Sequence, residues 1–426
     1  MTATPRRNEL LARHAVCLAL TIGLSLVWPN ANQGQILQGD WVDQSQAEIE
    51  KYRKTDVTVI VLDQEDHAVQ GARVRLVQKR HDFVIGLTLP SNRMPPSKCR
   101  ILPVYRCFNA IALDRYTDWS PSSGDSLQVR AKRLAAWQLA LEPMRTHFGR
   151  VISADPARNH DRLSLLNAAD LRDAVLARID LAAVFDPAPD DYDLYADMFQ
   201  QDMIERKLGQ GMINRMFDRA EAARPRAGYG IRVHDAISLN RGRDIVVNTQ
   251  RLEVRQVPFD HITIDQTFPG PIQPKAFRRM LDEYVAPLPK PVTLAGFEVG
   301  GRSPVAAAIN LETLLRLVFA QPRIDGIYLR GLLGDELLET QAALLDDEGQ
   351  PTASGEVMDQ LFNKIWHSDE QGVSDERGNV SARVFTGMYA ITASLPNGRK
   401  LKSQVHIPKN DRPKLIVLQV TRAEEE

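Results

Sequence analysis

Short apolar segments alternate with amphipathic helical patterns along most of this chain, from Tyr105 to about Lys364. Buried strands are predicted at seven places in this region: FNAIAL, EPMRTHF, YDLY, GYGIRV, HITID, PVTLAGFEV and DGIYLRG. Strands that alternate with helices are typical of a parallel sheet, and their number is close to that of a (β/α)8 barrel. A doubly wound open sheet is the alternative, but no GxGxxG motif or phosphate-binding loop follows any predicted strand. We therefore predict an α/β fold with a (β/α)8 TIM barrel.

The two ends of the chain have a different pattern, which is that of antiparallel strands. Alternating β-branched residues run from Thr55 to Gly86, and a similar pattern returns after Gly372. Because the termini of a barrel often lie close together, we predict that these strands form one small accessory β module. The predicted parts are 1–31 as a signal peptide or membrane anchor, 48–90 as an N-terminal β segment, 100–368 as the barrel and 372–426 as a C-terminal β segment.

The first residues have the pattern of an export signal. Arg6, Arg7 and Arg13 precede a mostly apolar run from Ala15 to Trp28, which is short for a membrane-spanning helix. We therefore predict an exported protein, secreted or periplasmic. The segment PNANQG that follows lacks a clear cleavage site, so an uncleaved membrane anchor is the alternative.

The overall charge of the chain is balanced, with 53 basic and 54 acidic residues and an isoelectric point near 6.8. Such a chain has no general field that would attract nucleic acid or an anionic membrane. A neutral substrate fits this balance better than a polyanion. We expect no nucleic-acid partner, membrane contact only through the N-terminal segment, and a monomer.

Cysteine usage gives little indication of metal or redox chemistry. Cys17 lies in the predicted export signal, and Cys99 and Cys107 either pair in an exported protein or remain thiols. The sequence has no CxxC motif and no local cluster of histidine and cysteine. It therefore predicts no metal site and no cofactor.

The stretch from Tyr192 to Gly209 is the first candidate for a functional site. A short apolar strand pattern passes here into helical periodicity, and Asp197 lies where the connecting loop should begin. In α/β proteins the loops after parallel strands carry most catalytic side chains. The alternative is that Asp193 and Asp197 only solvate and cap the start of a helix.

The order of motifs resembles glycoside hydrolase family 10, the endo-β-1,4-xylanase family, over roughly Glu48 to Leu395. The family motif FNxxxxENxxKW is similar to the segment from Phe108 to Trp119, although its Glu-Asn pair is Asp114-Arg115 here. Further motifs match in order: PMRTHFGRV for PVRGHxxxW, YDLYAD for WDVxNE, DHITIDQTF for the strand with QGH, PVTLAGFEV for PxWLTELDV, GIYLRGLLG for GIxLWGFW, and SDERGNVSARVFTGMY for the terminal hairpin.

The resemblance implies that Asp197 occupies the position of the acid/base carboxylate. The same alignment puts Gly296 at the position of the nucleophilic glutamate and Glu298 two residues further on. Retaining hydrolysis needs two carboxyl groups about 5 to 5.5 Å apart, and inversion needs about 6.5 to 9.5 Å. Gly296 cannot attack a sugar. Glu298 points to the same face of the strand, so it could serve as nucleophile or base if the strand were shifted.

The resemblance also implies a set of substrate-binding positions, although two of the family's tryptophans are Arg330 and Leu333 here and a third is Val151. Arginines at Arg115, Arg145, Arg232 and Arg330 suit an acidic sugar, or else pair internally with Asp114, Asp118 and Asp265. The predicted site residues are Asp197 and Glu298 for catalysis and Asn109, Asp118, Trp119, His147, Asp265 and Arg330 for substrate binding.

The function implied by the resemblance belongs to the metabolism of β-1,4-linked, xylan-type polysaccharides. We predict a family 10-like protein that binds a polysaccharide or oligosaccharide and has weak or lost hydrolysis. An active endo-β-1,4-glycanase that uses Asp197 and Glu298 is the alternative. A structural or envelope-associated interaction module, which would need only the fold, is a third possibility.

Overall fold

The computed structural model describes the chain from Gly39 onward, with gaps. The described residues are 39–89, 94–95, 103–114, 127–140, 144–155, 163–185, 188–237, 241–409 and 413–420. Among them, no helix combines the length and apolar character needed to cross a membrane. The predicted export signal and four residues that were singled out above lie outside the described residues: Cys99, Arg115, Asp118 and Trp119.

A closed barrel of parallel strands forms the centre of the described chain, which confirms the predicted (β/α)8 fold. The third strand position is divided into two short pieces that both pair with the following strand. The barrel strands are β3 (Val84–Thr88), β4 (Ala110–Ala112), β5 (Arg145–Phe148) with β6 (Ile152–Ser153), β7 (Asp191–Ala196), β8 (Gly228–His234), β9 (His261–Phe268), β10 (Val292–Val299) and β11 (Ile324–Leu329).

Amphipathic helices surround the strands and cover their outer faces. The helix that follows β10 begins at Pro304 after the N-cap Ser303, whose hydroxyl accepts a hydrogen bond from the Ala306 N–H. The helices are α1 (Asp40–Arg53), α2 (Pro103–Arg106), α3 (Leu127–Ala140), α4 (Ala168–Ala183), α5 (Met203–Leu208), α6 (Gly211–Ala223), α7 (Gly242–Val254), α8 (Pro274–Met280), α9 (Pro304–Ala320) and α10 (Ala353–Gln360). Wider turns extend α8 over Leu281–Val285 and α10 over Leu361–Ile365, and short 3-10 turns lie at Leu163–Leu165, Gly334–Glu336 and Thr340–Ala342.

The barrel begins earlier in the chain than the sequence suggested. The segment Val84–Thr88 was expected in the N-terminal β unit, but it pairs in parallel with β4 and β11 and is the first barrel strand. All five of its residues are buried, as is typical of a parallel strand covered on both faces. Its sequence is short and apolar, and such a pattern occurs both in buried parallel strands and in antiparallel sheets.

Strands from the two ends of the chain form one accessory β module, as predicted. They are β1 (Lys54–Leu62), β2 (Arg73–His81), β12 (Asp369–Val373), β13 (Asn379–Phe385), β14 (Gly387–Ser394), β15 (Lys400–Ile407) and β16 (Lys414–Gln419). β1 pairs with β13 and β16 in one sheet, and β2 pairs with β12 and β14 in another. Buried side chains from both sheets make one apolar core, so each end of the chain depends on the other for its packing.

Arg53, at the end of α1, joins the accessory module to the barrel. Its guanidinium donates hydrogen bonds to three carbonyl oxygens near the end of α9, those of Phe319 at 2.6 Å, Gln321 at 2.7 Å and Ile324 at 2.6 Å. Burial lowers the pKa of Arg53 to about 10, although Asp325 acts in the opposite direction. The guanidinium nevertheless stays charged at neutral pH.

Replacing Arg53 by Met is expected to lower the free energy of unfolding by about 3 kcal/mol, because buried carbonyl groups would lose their donors. Chemical denaturation monitored by circular dichroism measures this change. Arg75→Met is the matched control, since Arg75 pairs with Asp369 at the surface and its loss should have a much smaller effect. Equal effects of the two substitutions would contradict the role assigned to Arg53.

Candidate functional site

A polar cavity of about 300 Å³ opens at the carboxyl end of the barrel strands. This is the end at which TIM-barrel enzymes place their active sites. Ten described residues line the cavity, and six of them lie in the second half of five strands or just after it: Thr88, Arg232, His234, Asp265, Gly296 and Arg330.

The guanidinium of Arg232 lies at the centre of the acidic residues beneath this cavity. It is fully buried, and its terminal nitrogens lie 2.7 Å from Asp114, 2.7 Å from Asp265 and 3.2 Å from Asp193. Burial alone would lower the pKa of Arg232, but the three carboxylates raise it well above its ordinary value. The cluster therefore holds Arg232 as a permanent cation.

Asp193 lies inside the barrel below Arg232 and has no exposed surface. One carboxylate oxygen is 2.9 Å from His147 Nε2, and the other accepts a hydrogen bond from the Thr263 hydroxyl at 2.6 Å. Burial acts to raise the pKa of Asp193, but His147, His261 and Arg232 together hold it well below its ordinary value. Asp193 is therefore an interior charge of the barrel, and the alternative that it caps a helix is wrong.

Asp197 follows β7 in a left-handed backbone conformation with φ of 63°. Its N–H donates to the Arg232 carbonyl at 3.0 Å, and its buried carboxylate accepts a hydrogen bond from the Ser153 hydroxyl. The other carboxylate oxygen lies 2.7 Å from His234 Nε2. Asp197 does not cap the next helix, because α5 begins at Met203.

Gly296, which the motif comparison aligned with the family nucleophile, has φ of +56° at an irregular point of β10. A Cβ atom at this position would lie 2.2 Å from the Asp265 carboxylate and 3.0 Å from Arg330 Nη2. Burial acts to raise the pKa of Asp265, but Arg232 and His234 hold it well below its ordinary value. Other side chains thus fill the space next to Gly296.

Glu298 lies further along β10 and its side chain has no exposed surface. One carboxylate oxygen accepts a hydrogen bond from the Glu339 N–H. The other is 2.9 Å from Arg330 Nε, although the two groups are not aligned as a hydrogen bond. Burial raises the pKa of Glu298, and the Glu339 N–H and Arg330 offset only part of this effect.

A series of close contacts connects the two predicted catalytic carboxylates through charged side chains. From Asp197 it passes to His234 at 2.7 Å, then to Asp265 at 3.6 Å, to Arg330 at 3.8 Å and to Glu298 at 2.9 Å. Neither Asp197 nor Glu298 lines the cavity, whereas the three intermediate residues do. The structure thus brings four predicted site residues together, with both terminal carboxylates engaged in internal contacts.

Two other predicted site residues lie away from this cavity. The Asn109 side chain, just before β4, accepts from the Ile85 N–H at 2.8 Å and donates to two carbonyls of the preceding segment. His147 is buried within the barrel against Asp193 and lines a second cavity at the amino end. Arg145, considered above for an acidic sugar or for internal pairing, pairs with Asp191 at the amino end at 2.6 Å. Asn109 and Arg145 lie just before or at the start of their strands, and His147 lies within β5. A motif match does not specify how far along the barrel axis a residue lies.

Sequence reasoning missed His234 and Ser153 as partners of Asp197. The signal for His234 was present, because Gly230, Arg232 and His234 alternate along β8 and therefore share its inner face. Arg232 was considered for an acidic ligand or for internal pairing, and the structure has it paired with Asp114 and Asp265. Ser153 and Asp197 belong to different parts of the chain, so their contact produces no pattern in the local sequence.

Comparisons with known proteins identify relatives at low sequence identity. No family model matches the chain. It is 24% identical to the anti-sigma-I factor RsgI6 of Acetivibrio thermocellus over 84% of this chain and 47% of that protein. It is 23% identical to endo-1,4-beta-xylanase 3 of Arabidopsis thaliana over 60% of this chain and 34% of that protein. The chain thus spans less than half the length of the curated relatives described here.

Solved xylanase structures share the fold over the barrel. A GH10 endoxylanase retrieved from a sugarcane soil metagenome matches with a TM-score of 0.54 at 13% identity, covering 66% of this chain and 97% of that one. Xylanase 10B of Thermotoga petrophila, in complex with xylobiose, matches with a TM-score of 0.54 at 15% identity, covering 67% and 95%. The chain therefore has a (β/α)8 barrel with the fold of the glycoside hydrolase family 10 xylanases, at low sequence identity.

Proposed function

We propose that this chain binds a β-1,4-linked, xylan-type polysaccharide or oligosaccharide at the carboxyl-end cavity and has weak or no hydrolytic activity. The observation that carries this proposal is the surroundings of Gly296. A residue without a side chain stands at the nucleophile position, and Asp265 and Arg330 occupy the space that a side chain would need. Position 296 therefore offers no nucleophile that could attack the anomeric carbon of a bound sugar.

The two remaining carboxylates do not replace the missing pair. Asp197 is engaged by Ser153 and His234, and Glu298 by Arg330 and the Glu339 N–H. A general acid must reach the leaving oxygen, and a nucleophile must approach the anomeric carbon. Both carboxylates are buried and lie outside the cavity lining, so ligand binding there does not bring them to the reacting atoms.

The cavity offers hydrogen-bonding groups that suit sugar hydroxyls. Arg330 donates, Asp265 accepts, and the hydroxyls of Thr88 and Thr267 do both. Among the described lining residues there is no phenylalanine, tyrosine or tryptophan, so the stacking that strengthens many sugar sites is missing from this part. We therefore expect modest affinity, governed by polar contacts.

The name of one similar structure is in line with this proposal. Xylanase 10B of Thermotoga petrophila was solved with xylobiose, which supports a β-1,4-linked sugar as the class of ligand. The relative that matches over 84% of this chain is named as an anti-sigma-I factor, which is the name of a regulatory protein. The proposed sugar therefore rests on the xylanase, because the anti-sigma-I factor name identifies no carbohydrate.

Isothermal titration calorimetry with β-1,4-xylohexaose tests the binding. We expect saturable binding that becomes at least about tenfold weaker in Arg330→Ala, because a hydrogen bond to a charged group contributes about 1.5–3 kcal/mol. Arg145→Ala is the matched control, since this arginine also pairs with an aspartate but at the opposite end of the barrel. Absence of binding at millimolar ligand, or equal affinity of wild type and Arg330→Ala, would contradict the proposed site.

We also propose that the protein is exported, on the basic and then apolar pattern of its first residues. Fusing residues 1–38 to a reporter that is active only outside the cytoplasm tests this. Reporter activity equal to that of a fusion without the segment would contradict export.

A further inference from the structure

Three potential metal ligands meet inside the amino-terminal half of the barrel, away from the cavity described above. They are His147 of β5, Asp193 of β7 and His261 of β9, and their ligand atoms all lie within 4.8 Å of one another. Their separation along the chain hides the set from a search for local metal motifs, and the sequence accordingly predicted no metal site. Imidazole and carboxylate are the ligand types that Zn²⁺ and similar transition metals accept.

The ring of His261 is held in place without a hydrogen bond at its inner nitrogen. Its Nε2 atom is buried and makes no aligned hydrogen bond among the described residues, and the side chain is 15% exposed. The ring lies against Gly230, where a Cβ atom would come within 2.3 Å of Nε2. A buried polar nitrogen without a partner costs free energy unless something satisfies it.

The distance from His261 to Asp193 fits a metal better than a hydrogen bond. His261 Nε2 lies 3.5 Å from the nearer Asp193 carboxylate oxygen, which is longer than the usual N–H···O distance. Two ligands of a tetrahedral Zn²⁺ with bonds of about 2.0–2.1 Å are separated by about 3.3 Å. The third ligand, His147 Nε2, is 2.9 Å from the other Asp193 oxygen and can reach the ion by a small ring shift.

An ion has a route to this position. A cavity of about 600 Å³ at the amino end of the barrel is lined by both His147 and His261. Its lining holds more acidic than basic side chains: Asp190, Asp191, Asp260 and Asp325 against Arg145 and Arg226. This balance favours entry of a cation. Arg232 approaches Asp193 at the oxygen shared with His147. The oxygen that faces His261 accepts one hydrogen bond, from the Thr263 hydroxyl, and keeps a second lone pair for a metal.

We propose that His147, Asp193 and His261 form a site for a divalent transition metal, with Zn²⁺ as the preferred ion, loaded through the amino-end cavity. On binding, the proton between His147 and Asp193 leaves to solvent, because each histidine must offer a free lone pair. Water completes the coordination on the side of the cavity. The ion joins three barrel strands, and one of its ligands, Asp193, also contacts Arg232 of the carboxyl-end cavity.

Titration calorimetry with Zn²⁺ on protein without a histidine tag tests this site, with Co²⁺ absorption as a second readout of tetrahedral coordination. We expect one Zn²⁺ per chain, a rise in the temperature of unfolding, and at least about tenfold weaker binding in His261→Ala. His406→Ala is the matched control, because His406 also lies 2.8 Å from an aspartate, Asp82, but at the surface of the accessory module. Its affinity for Zn²⁺ should equal that of wild type.

His261→Gln, which keeps a polar side chain against Gly230, provides a second variant should the alanine variant fold poorly. Circular dichroism of each variant verifies the fold before titration. Lack of stoichiometric Zn²⁺ binding by wild type would overturn the proposal. So would unchanged affinity in a folded His261 variant, or an equal loss in His406→Ala.

Discussion

Replacing Arg232 by Met is expected to lower the free energy of unfolding by about 3–5 kcal/mol, the range for breaking a buried charge cluster by removing one partner. The substitution keeps most of the side-chain volume but leaves Asp114, Asp193 and Asp265 without the cation that holds them together. Chemical denaturation at neutral pH measures the loss. The matched control is Arg219→Met, which removes an exposed partner of Asp180 and should change stability far less.

The effect of this substitution should depend on pH in a definite direction. Asp193 and Asp265 have folded-state pKa values below their unfolded values, so their stabilising contribution is present above the unfolded pKa and is lost as pH falls through the folded pKa. The difference between wild type and Arg232→Met should therefore be largest above about pH 5 and shrink in acid. A loss below about 1 kcal/mol at neutral pH, or a difference that grows in acid, would contradict the account of the cluster.

Gly296→Glu, which restores the residue type of the family nucleophile, is expected to lower the free energy of unfolding by about 3 kcal/mol or more and to produce no hydrolysis. The left-handed backbone alone costs a side chain about 1–2 kcal/mol, and the new Cβ would displace Asp265 from its pair with Arg232. The added carboxylate would also repel Asp265. Thermal unfolding and a reducing-sugar assay measure the two outcomes.

A pair of alanine substitutions separates the backbone cost from the cost of packing. Gly398 also has a left-handed conformation, with φ of +89°, but nothing lies near the Cβ that would be added there. Gly398→Ala should therefore have only the backbone cost, and Gly296→Ala should be more destabilising. If the two alanine variants were equally stable, or if Gly296→Glu were stable and active, the space next to Gly296 would not be filled as described.

Much of the fold could be predicted from local patterns, because most barrel strands are short apolar segments followed by an amphipathic helix. The exceptions have physical causes. Val84–Thr88 is as short and apolar as an antiparallel strand, and only its burial on both faces identifies it as part of the barrel. The third strand position is divided between Arg145–Phe148 and Ile152–Ser153, and such a break depends on pairing with a distant strand.

The site could be predicted only in part, for a related reason. Motif matches identified Asp197, Asp265, Glu298 and Arg330, which the structure brings into one series of contacts. They did not specify how these side chains pair. His147 was matched to the correct strand, but whether it faces the carboxyl-end cavity depends on its depth in the barrel.

The most direct test of the central claim is turnover of β-1,4-xylohexaose at high protein concentration, with the products separated by chromatography. Wild type, Asp197→Ala and Glu298→Ala are compared with a reaction that contains no protein. The account predicts that wild type binds the sugar but releases shorter oligosaccharides no faster than either variant. Shorter oligosaccharides that form with wild type and disappear in both variants would contradict it and assign a working pair of carboxylates to this barrel.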